Sequence, residues 1–228
     1  MKTIIDFLTK LQKNNNKEWF HAHRSEYEHE QGRFNEFAQK FIAGIAEIDP
    51  STNGLTLKEC TYRIYRDTRF SNDKSPYKTH MGVFVAPEGK KSGKAGYYFH
   101  VSTGGNNYPN GNMLALGHYC YDKKVVEIVR EDLVDDGEKF EKMILSAQKC
   151  GFTLDMQDSL KRIPRGFENV NPKYSDYLRL KSYLISKTLS KSYLLDDGLL
   201  ENLLDLCKIN KPFVSYLNNI ISYTRNEL

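Results

Sequence analysis

No two of the four cysteines, Cys60, Cys120, Cys150 and Cys207, stand at Cys-x-x-Cys spacing. That excludes a zinc knuckle and a thioredoxin-like redox pair. The stretch Met1 to Leu11 lacks the continuous apolar region of a secretion signal. The thiols are therefore expected to be reduced and mostly buried in a cytoplasmic protein rather than joined in disulfides. No apolar run approaches the ~18 residues of a membrane span, so no membrane partner is expected. Charge of one sign is also missing: 33 Lys and Arg stand against 29 Asp and Glu, a net +4. That surplus is too small to argue nucleic-acid binding by itself. No Gly-x-Gly-x-x-Gly, nucleophile elbow or Ser-Lys signature occurs. The run Gly89 to Lys94 is too short for a P-loop, and no Ser or Thr follows its lysine.

What remains is an ordinary globular balance over 228 residues, with no internal repeat, low-complexity tract or linker. One α+β domain over residues 1–228 is the economical reading, an antiparallel sheet with helices packed mainly on one face. Helices are expected over 3–48. Thr3 starts the first, and Asn15 with Glu18 caps the second. Gly32 is a weak point and Asp49-Pro50 a stop. Strands fit about 57–66, 80–87, 95–103 and 112–121. The region 122–228 is helical and basic. It has a break near Gly137, a strand over Ser182 to Leu189, and a last helix opened by Pro212.

The central hairpin, with a polar and mobile tip over Glu88 to Lys94, can be set in register. Centring the tip near residue 91 pairs Met81 with Val101, Val83 with Phe99 and Val85 with Tyr97. That makes one apolar face. The other face then carries His80, Gly82, Tyr98, His100 and Ser102, with His100 opposite Gly82 and diagonal to His80.

The most unusual stretch is 63–80. Arg63, Arg66, Arg69, Lys74 and Lys78 face only Asp67 and Asp73 there, a surplus of three positive charges in 18 residues. Such a surplus repels itself unless an anion or distant carboxylates compensate it. Arginines three apart cannot share one strand face, so part of the segment is a loop. Two readings stay open. In one, the arginines bind a phosphate or carboxylate of a ligand. In the other, Asp67 and Asp73 pin an ordered scaffold and the acidic helix after residue 122 supplies the rest.

The pattern Arg63-x-Tyr65-Arg66-Asp67-x-Arg69-Phe70-Ser71-x-Asp73-Lys74-Ser75-Pro76-Tyr77-Lys78-Thr79-His80 resembles the hallmark of a bacterial family known as domain of unknown function 2461. Three further stretches carry the same resemblance. They are Asn14-Asn15-x-x-x-Trp19-Phe20-x-x-His23-Arg24-x-x-Tyr27, Tyr97-Tyr98-Phe99-His100, and Leu160-Lys161-Arg162-x-Pro164-Arg165-Gly166-Phe167 with Leu180-Lys181. The resemblance spans nearly the whole chain. It implies one α+β domain with these polar residues grouped as a unit, and it transfers no activity. One departure is Tyr121, where the pattern leads one to expect proline.

The ligand-binding candidates are Arg63, Tyr65, Arg66, Arg69, Lys74, Tyr77 and Lys78. Trp19, His23 and Arg24 join them if the second helix closes over the loop; the preferred reading is that Trp19 belongs to the core and the polar groups hydrogen-bond the sheet. Asp67, Asp73, His80 and His100 are the acid–base candidates. His80 and His100 with an Asp, and His118 from the next strand, could also ligate a metal. The preferred reading of them is a polar sheet face with no metal. No feature names a cofactor or an oligomeric state. The expected function is binding of a small anion in a basic pocket on 63–80, with hydrolase or transferase chemistry as an extension. The alternatives are a nucleic-acid module that also uses the basic stretch 161–191, and a structural or protein-interaction domain.

Overall fold

The computed structural model describes residues 1–104, 111–119, 122–168 and 170–226. Cys120 and Tyr121 lie outside the described residues. Four helices come first: α1 (Lys2–Lys13), α2 (Lys17–Ala22), α3 (Arg24–Ile48) and α4 (Leu57–Cys60). Strands β1 (His80–Val85), β2 (Gly96–Ser102) and β3 (Met113–His118) follow. The remainder is α5 (Lys123–Lys149), β4 (Thr153–Leu154), α6 (Ser175–Leu178), β5 (Tyr183–Thr188), α7 (Lys191–Leu194) and α8 (Leu199–Asn226). The strands form one antiparallel sheet in the order β1-β2-β3-β5-β4. This is the α+β architecture the sequence implies.

The hairpin register is the expected one: Met81 faces Val101, Val83 faces Phe99 and Val85 faces Tyr97. All six are buried, because helices α1, α3 and α8 cover this face. Phe37 and Phe41 of α3 reach Phe99 with ring centroids 5.1 and 6.3 Å away. Leu114 and Leu116 continue the apolar face into β3, and Ile185 continues it into β5. Asp49, after α3, is buried beneath it and accepts a hydrogen bond from the Tyr97 hydroxyl at 3.1 Å.

Local expectations fail where a tertiary partner outbids a local one. Thr3 does not cap α1. Its hydroxyl donates to the buried Glu30 carboxylate at 2.7 Å, and Met1 takes the cap position. Asn16, not Asn15, caps α2 by accepting from the Trp19 amide. The break between α2 and α3 falls at His23, while Gly32 lies inside a continuous α3. No strand forms over 57–66. A capping box from Thr56 and Glu59 starts the short helix α4 there, and only single bridges follow, Thr61 to Val83 and Tyr65 to Tyr77. The break near Gly137 is present as a kink at Asp136 (φ −145°, ψ 59°). Pro212 does not open a helix but lies inside α8. There α8 packs on α5, α3 and β3, which holds the helix together across the lost bond. The hairpin tip, expected to be loose, is tied down. Lys90 N donates to the Glu59 carbonyl, Lys94 pairs with Glu88 at 2.6 Å, and the Asn218 amide brackets the Ala95 backbone. Cys60, Cys150 and Cys207 are free, and burial pushes the Cys60 thiol up to about 11.

Gly117 has φ +129°, and a Cβ there would stand 2.3 Å from the Tyr183 carbonyl oxygen on β5. Gly117→Ala is expected to destabilise by about 2 kcal/mol or more, through strain and clash together. Gly32 has no atom within 4 Å of such a Cβ. Gly32→Ala should therefore stabilise by about 0.5–1 kcal/mol. Urea unfolding of the two variants beside the wild type checks both signs.

Candidate functional site

The 63–80 segment leaves α4 and returns as β1, closed at its neck by two backbone bonds. Lys78 N donates to the Ile64 carbonyl at 2.8 Å and Arg66 N to the Pro76 carbonyl at 2.9 Å. Above the neck the loop is cross-linked by its own charges. Arg66 donates to the Asp73 carboxylate, the Ser75 carbonyl and the Ser71 hydroxyl. Asp73 also accepts from the Ser75 amide and hydroxyl. Arg69 forks onto Asp67 at 3.0 and 2.7 Å. Lys74 Nζ donates to the Thr68 carbonyl at 3.0 Å. The loop is thus ordered by ionic hydrogen bonds, with almost no apolar burial. Phe70 at its tip is 96% exposed.

The loop is fastened to the N-terminal region by Asn15 and Phe20. Asn15 donates its amide N–H to the Tyr77 carbonyl at 2.9 Å and accepts from the Tyr77 amide at 3.1 Å, completing the backbone of a buried residue as a neighbouring strand would. Phe20 of α2 stacks on the Tyr77 ring at 3.9 Å and meets Tyr65 at 6.2 Å. So Phe20, not Trp19, is the helical aromatic against the loop. Trp19 stacks on His23 at 4.0 Å and packs on Phe7, and Arg24 is exposed and paired with Glu28.

Between α1 and the loop lies a cleft of about 540 Å3. Gln12 and Asn15 line one side, and Arg66, Asp67, Asp73 and Ser75 the other. Tyr77, Lys78, Thr79 and His80 complete it. Of the sequence candidates, the structure brings Arg66, Asp67, Asp73, Tyr77, Lys78 and His80 together here. Arg63, Tyr65, Arg69, Lys74, Trp19, His23 and Arg24 are not part of the wall. His100, fully buried, stacks behind His80 at 4.3 Å, and its Nδ1 is 2.8 Å from the Tyr98 hydroxyl. The stacked rings lie in nearly parallel planes, 20° apart. Their nitrogens therefore do not converge on one point, and both aspartates are turned to arginines. His118 is opposite Tyr183, on the core face, so it cannot join the pair. Gln12, Asn15, Ser75 and Thr79 were not named as site residues from the sequence. Asn15, Ser75 and Thr79 do stand in the family pattern, whereas Gln12 carries no such signal.

The electrostatics divide the site. The Ser75 hydroxyl and amide and the Arg66 guanidinium hold the Asp73 carboxyl down to about 2. Arg69 lowers Asp67 in the same way. Burial, then His100, Lys78 and Arg66, bring His80 down to about 3, so its imidazole is neutral. Burial lowers the Lys78 ammonium as well, and Arg63 and Lys90 add repulsion. Lys78 Nζ donates to the Arg63 carbonyl at 3.0 Å and lies 5.4 Å from the Tyr62 ring centre, with Lys90 5.6 Å from the same ring. Among the described residues Lys78 makes no ion pair. The acidic helix α5 does not compensate it, since Glu138 pairs with Lys142, Glu141 with Lys173, and Asp132 accepts from Tyr216.

Asn15→Ala should cost about 1–3 kcal/mol, because it strands a buried amide and carbonyl of Tyr77. Chemical denaturation measures this. A second expectation concerns pH. The folded carboxyl of Asp73 titrates near 2, below the ordinary 3.8. Its contribution to stability is therefore present above about pH 4 and lost as pH falls toward about 2. Urea midpoints of wild type and Asp73→Asn should differ above pH 4 and converge toward pH 2, with the gap shrinking in high salt.

A family profile described as Conserved hypothetical protein (DUF2461) matches residues 3–216. No curated protein and no solved structure matches the chain.

Proposed function

We propose, for a chain that belongs to the conserved hypothetical protein family DUF2461, that the cleft beside the 63–80 loop binds a small anion carrying a phosphate or a carboxylate. The observation that carries this reading is Lys78. It is half-buried, its charge is opposed by burial and by Arg63 and Lys90, and no carboxylate answers it. An anion entering the cleft relieves that repulsion, and the charge-assisted bonds it makes are the strong kind. Three of the loop's other cations, Arg66, Arg69 and Lys74, are already engaged. Arg66 and Arg69 serve Asp73 and Asp67, and so preorganise the wall. Neutral His80 can hydrogen-bond the bound anion. Hydrolysis or group transfer remains an extension of the binding reading, since burial weakens His80 as a base much as the arginines weaken Asp67 and Asp73. Free thiols suit the cytoplasm, where we place the protein. Among the described residues no helix is long and apolar enough to cross a membrane.

A nucleic-acid surface is less well supported. In the basic stretch 161–191, Lys173, Arg179 and Lys181 are paired with Glu141, Asp176 and Asp158, and Lys187 donates to the Cys150 carbonyl. Those cations are partly spent before any polyanion arrives.

Thermal unfolding in inorganic phosphate, sulfate, citrate and short RNA or DNA tests the reading. Phosphate or citrate near 100 times its dissociation constant should stabilise by ~2.7 kcal/mol, a shift of several degrees. Lys78→Met, which keeps the stem and removes the charge, should fold and lose the shift. If no anion moves the melt, or the variant responds like the wild type, the loop is scaffold and the reading falls. A shift with RNA alone, abolished by salt, would favour the nucleic-acid alternative.

A further inference from the structure

The cleft is much larger than a lone anion requires. A water molecule's share of liquid volume is about 30 Å3, so 540 Å3 holds roughly eighteen waters. The walls say what the rest of the ligand is made of. No aliphatic side chain lines the cleft. A hydrocarbon body there would bury amides, hydroxyls and carboxylates without replacing their hydrogen bonds to water, which is costly. Of the cleft's two rings, Tyr77 is occupied by Phe20 stacked at 3.9 Å and by Tyr65 at 5.4 Å, and His80 is covered on one face by His100 at 4.3 Å. A nucleobase would have at most one face of a small imidazole to stack on, a poor platform beside the polar groups of the wall.

The two carboxylates narrow the class further. Asp67 accepts the Arg69 backbone and Nε on Oδ1 and Arg69 Nη2 on Oδ2. Asp73 accepts both Ser75 donors on Oδ1 and Arg66 on Oδ2. A carboxylate offers about four lone-pair sites, so each Oδ2 keeps one direction for a further donor. The arginines hold both groups ionised and fixed in place. Ionised carboxylates repel a second anionic group and bind hydroxyl donors well.

We infer that the ligand is a phosphorylated polyol, of the sugar-phosphate class. Its phosphate sits at Lys78, and its hydroxyl groups are read by Asp67 and Asp73 and by the side chains of Ser75 and Gln12. This rests on the anion-binding reading above and adds the body of the ligand to it. A single anionic group at one end and hydroxyls along the other match a wall that carries Lys78 in one part and the two aspartates in another.

Isothermal titration of the full chain with glucose 6-phosphate, ribose 5-phosphate, glycerol 3-phosphate, inorganic phosphate, citrate and glucose tests it. At least one phosphorylated polyol should bind tenfold or more tighter than inorganic phosphate, and glucose should bind too weakly to detect. Asp67 is exposed and, among the described residues, its side chain is hydrogen-bonded to Arg69 alone, so Asp67→Ala should fold. It should lose most of the tenfold advantage while inorganic phosphate binds as well as before or better. Equal affinities for all phosphates, binding of citrate alone, or an advantage that survives Asp67→Ala would overturn this inference and leave the anion site standing. Absence of binding by every anion would overturn both.

Discussion

The constraint on which the rest depends is the register of β1 against β2, with Gly82 opposite His100. Side chains alternate along a strand, so a slip of one residue would exchange the two faces. In the observed register Met81, Val83 and Val85 go to the helices, and His80 and His100 go to the opposite face. Gly82 supplies the room for this. A Cβ there would stand 2.8 Å from the Tyr98 hydroxyl, the group that reaches His100. The same register sets where the charged loop must end, because Lys78 and Tyr77 are the last residues before the strand.

The loop above that strand meets its own needs for order. Asp67 and Asp73 neutralise Arg69 and Arg66, and Asn15 supplies the two backbone bonds that a neighbouring strand would otherwise give Tyr77. The scaffold reading of the charged segment accounts for Arg66 and Arg69. Their pairing uses both carboxylates of the loop, and Lys78 is left without an ion pair among the described residues. A loop that spends all its cations on itself would have no electrostatic reason to face a cleft, and one that spends none would have no reason to be ordered.

The legible part of the fold is the part with strong period. The hairpin pairs, the strand at 183–188, the kink beside Gly137 and the cover of helices over one sheet face all follow from apolar spacing. The misread positions share one cause. Thr3, Asn15 and Pro212 carry local signals that are correct for an isolated segment. In the folded chain each is overruled by a partner elsewhere: Glu30 for Thr3, Tyr77 for Asn15, and the packing of α5, α3 and β3 for the helix through Pro212. At the site, the charged candidates were visible by type. Of the cleft's neutral members, Ser75 and Thr79 stand in the family pattern, while Gln12 carries no sequence signature because amides are common on any surface.

The sequence by itself determined the α+β class, the hairpin register and the charge surplus of 63–80, since alternation and charge are properties of neighbouring residues. Only the tertiary structure decided which of those charges remain available. Arg66 and Lys78 look alike in the chain, but one has a carboxylate seven residues away that the loop folds against it, and the other has none. The cleft depends likewise on Asn15 meeting Tyr77 across 62 residues. Hydrogen bonds act over about 3 Å, and no local pattern specifies which distant groups the fold will bring within that reach.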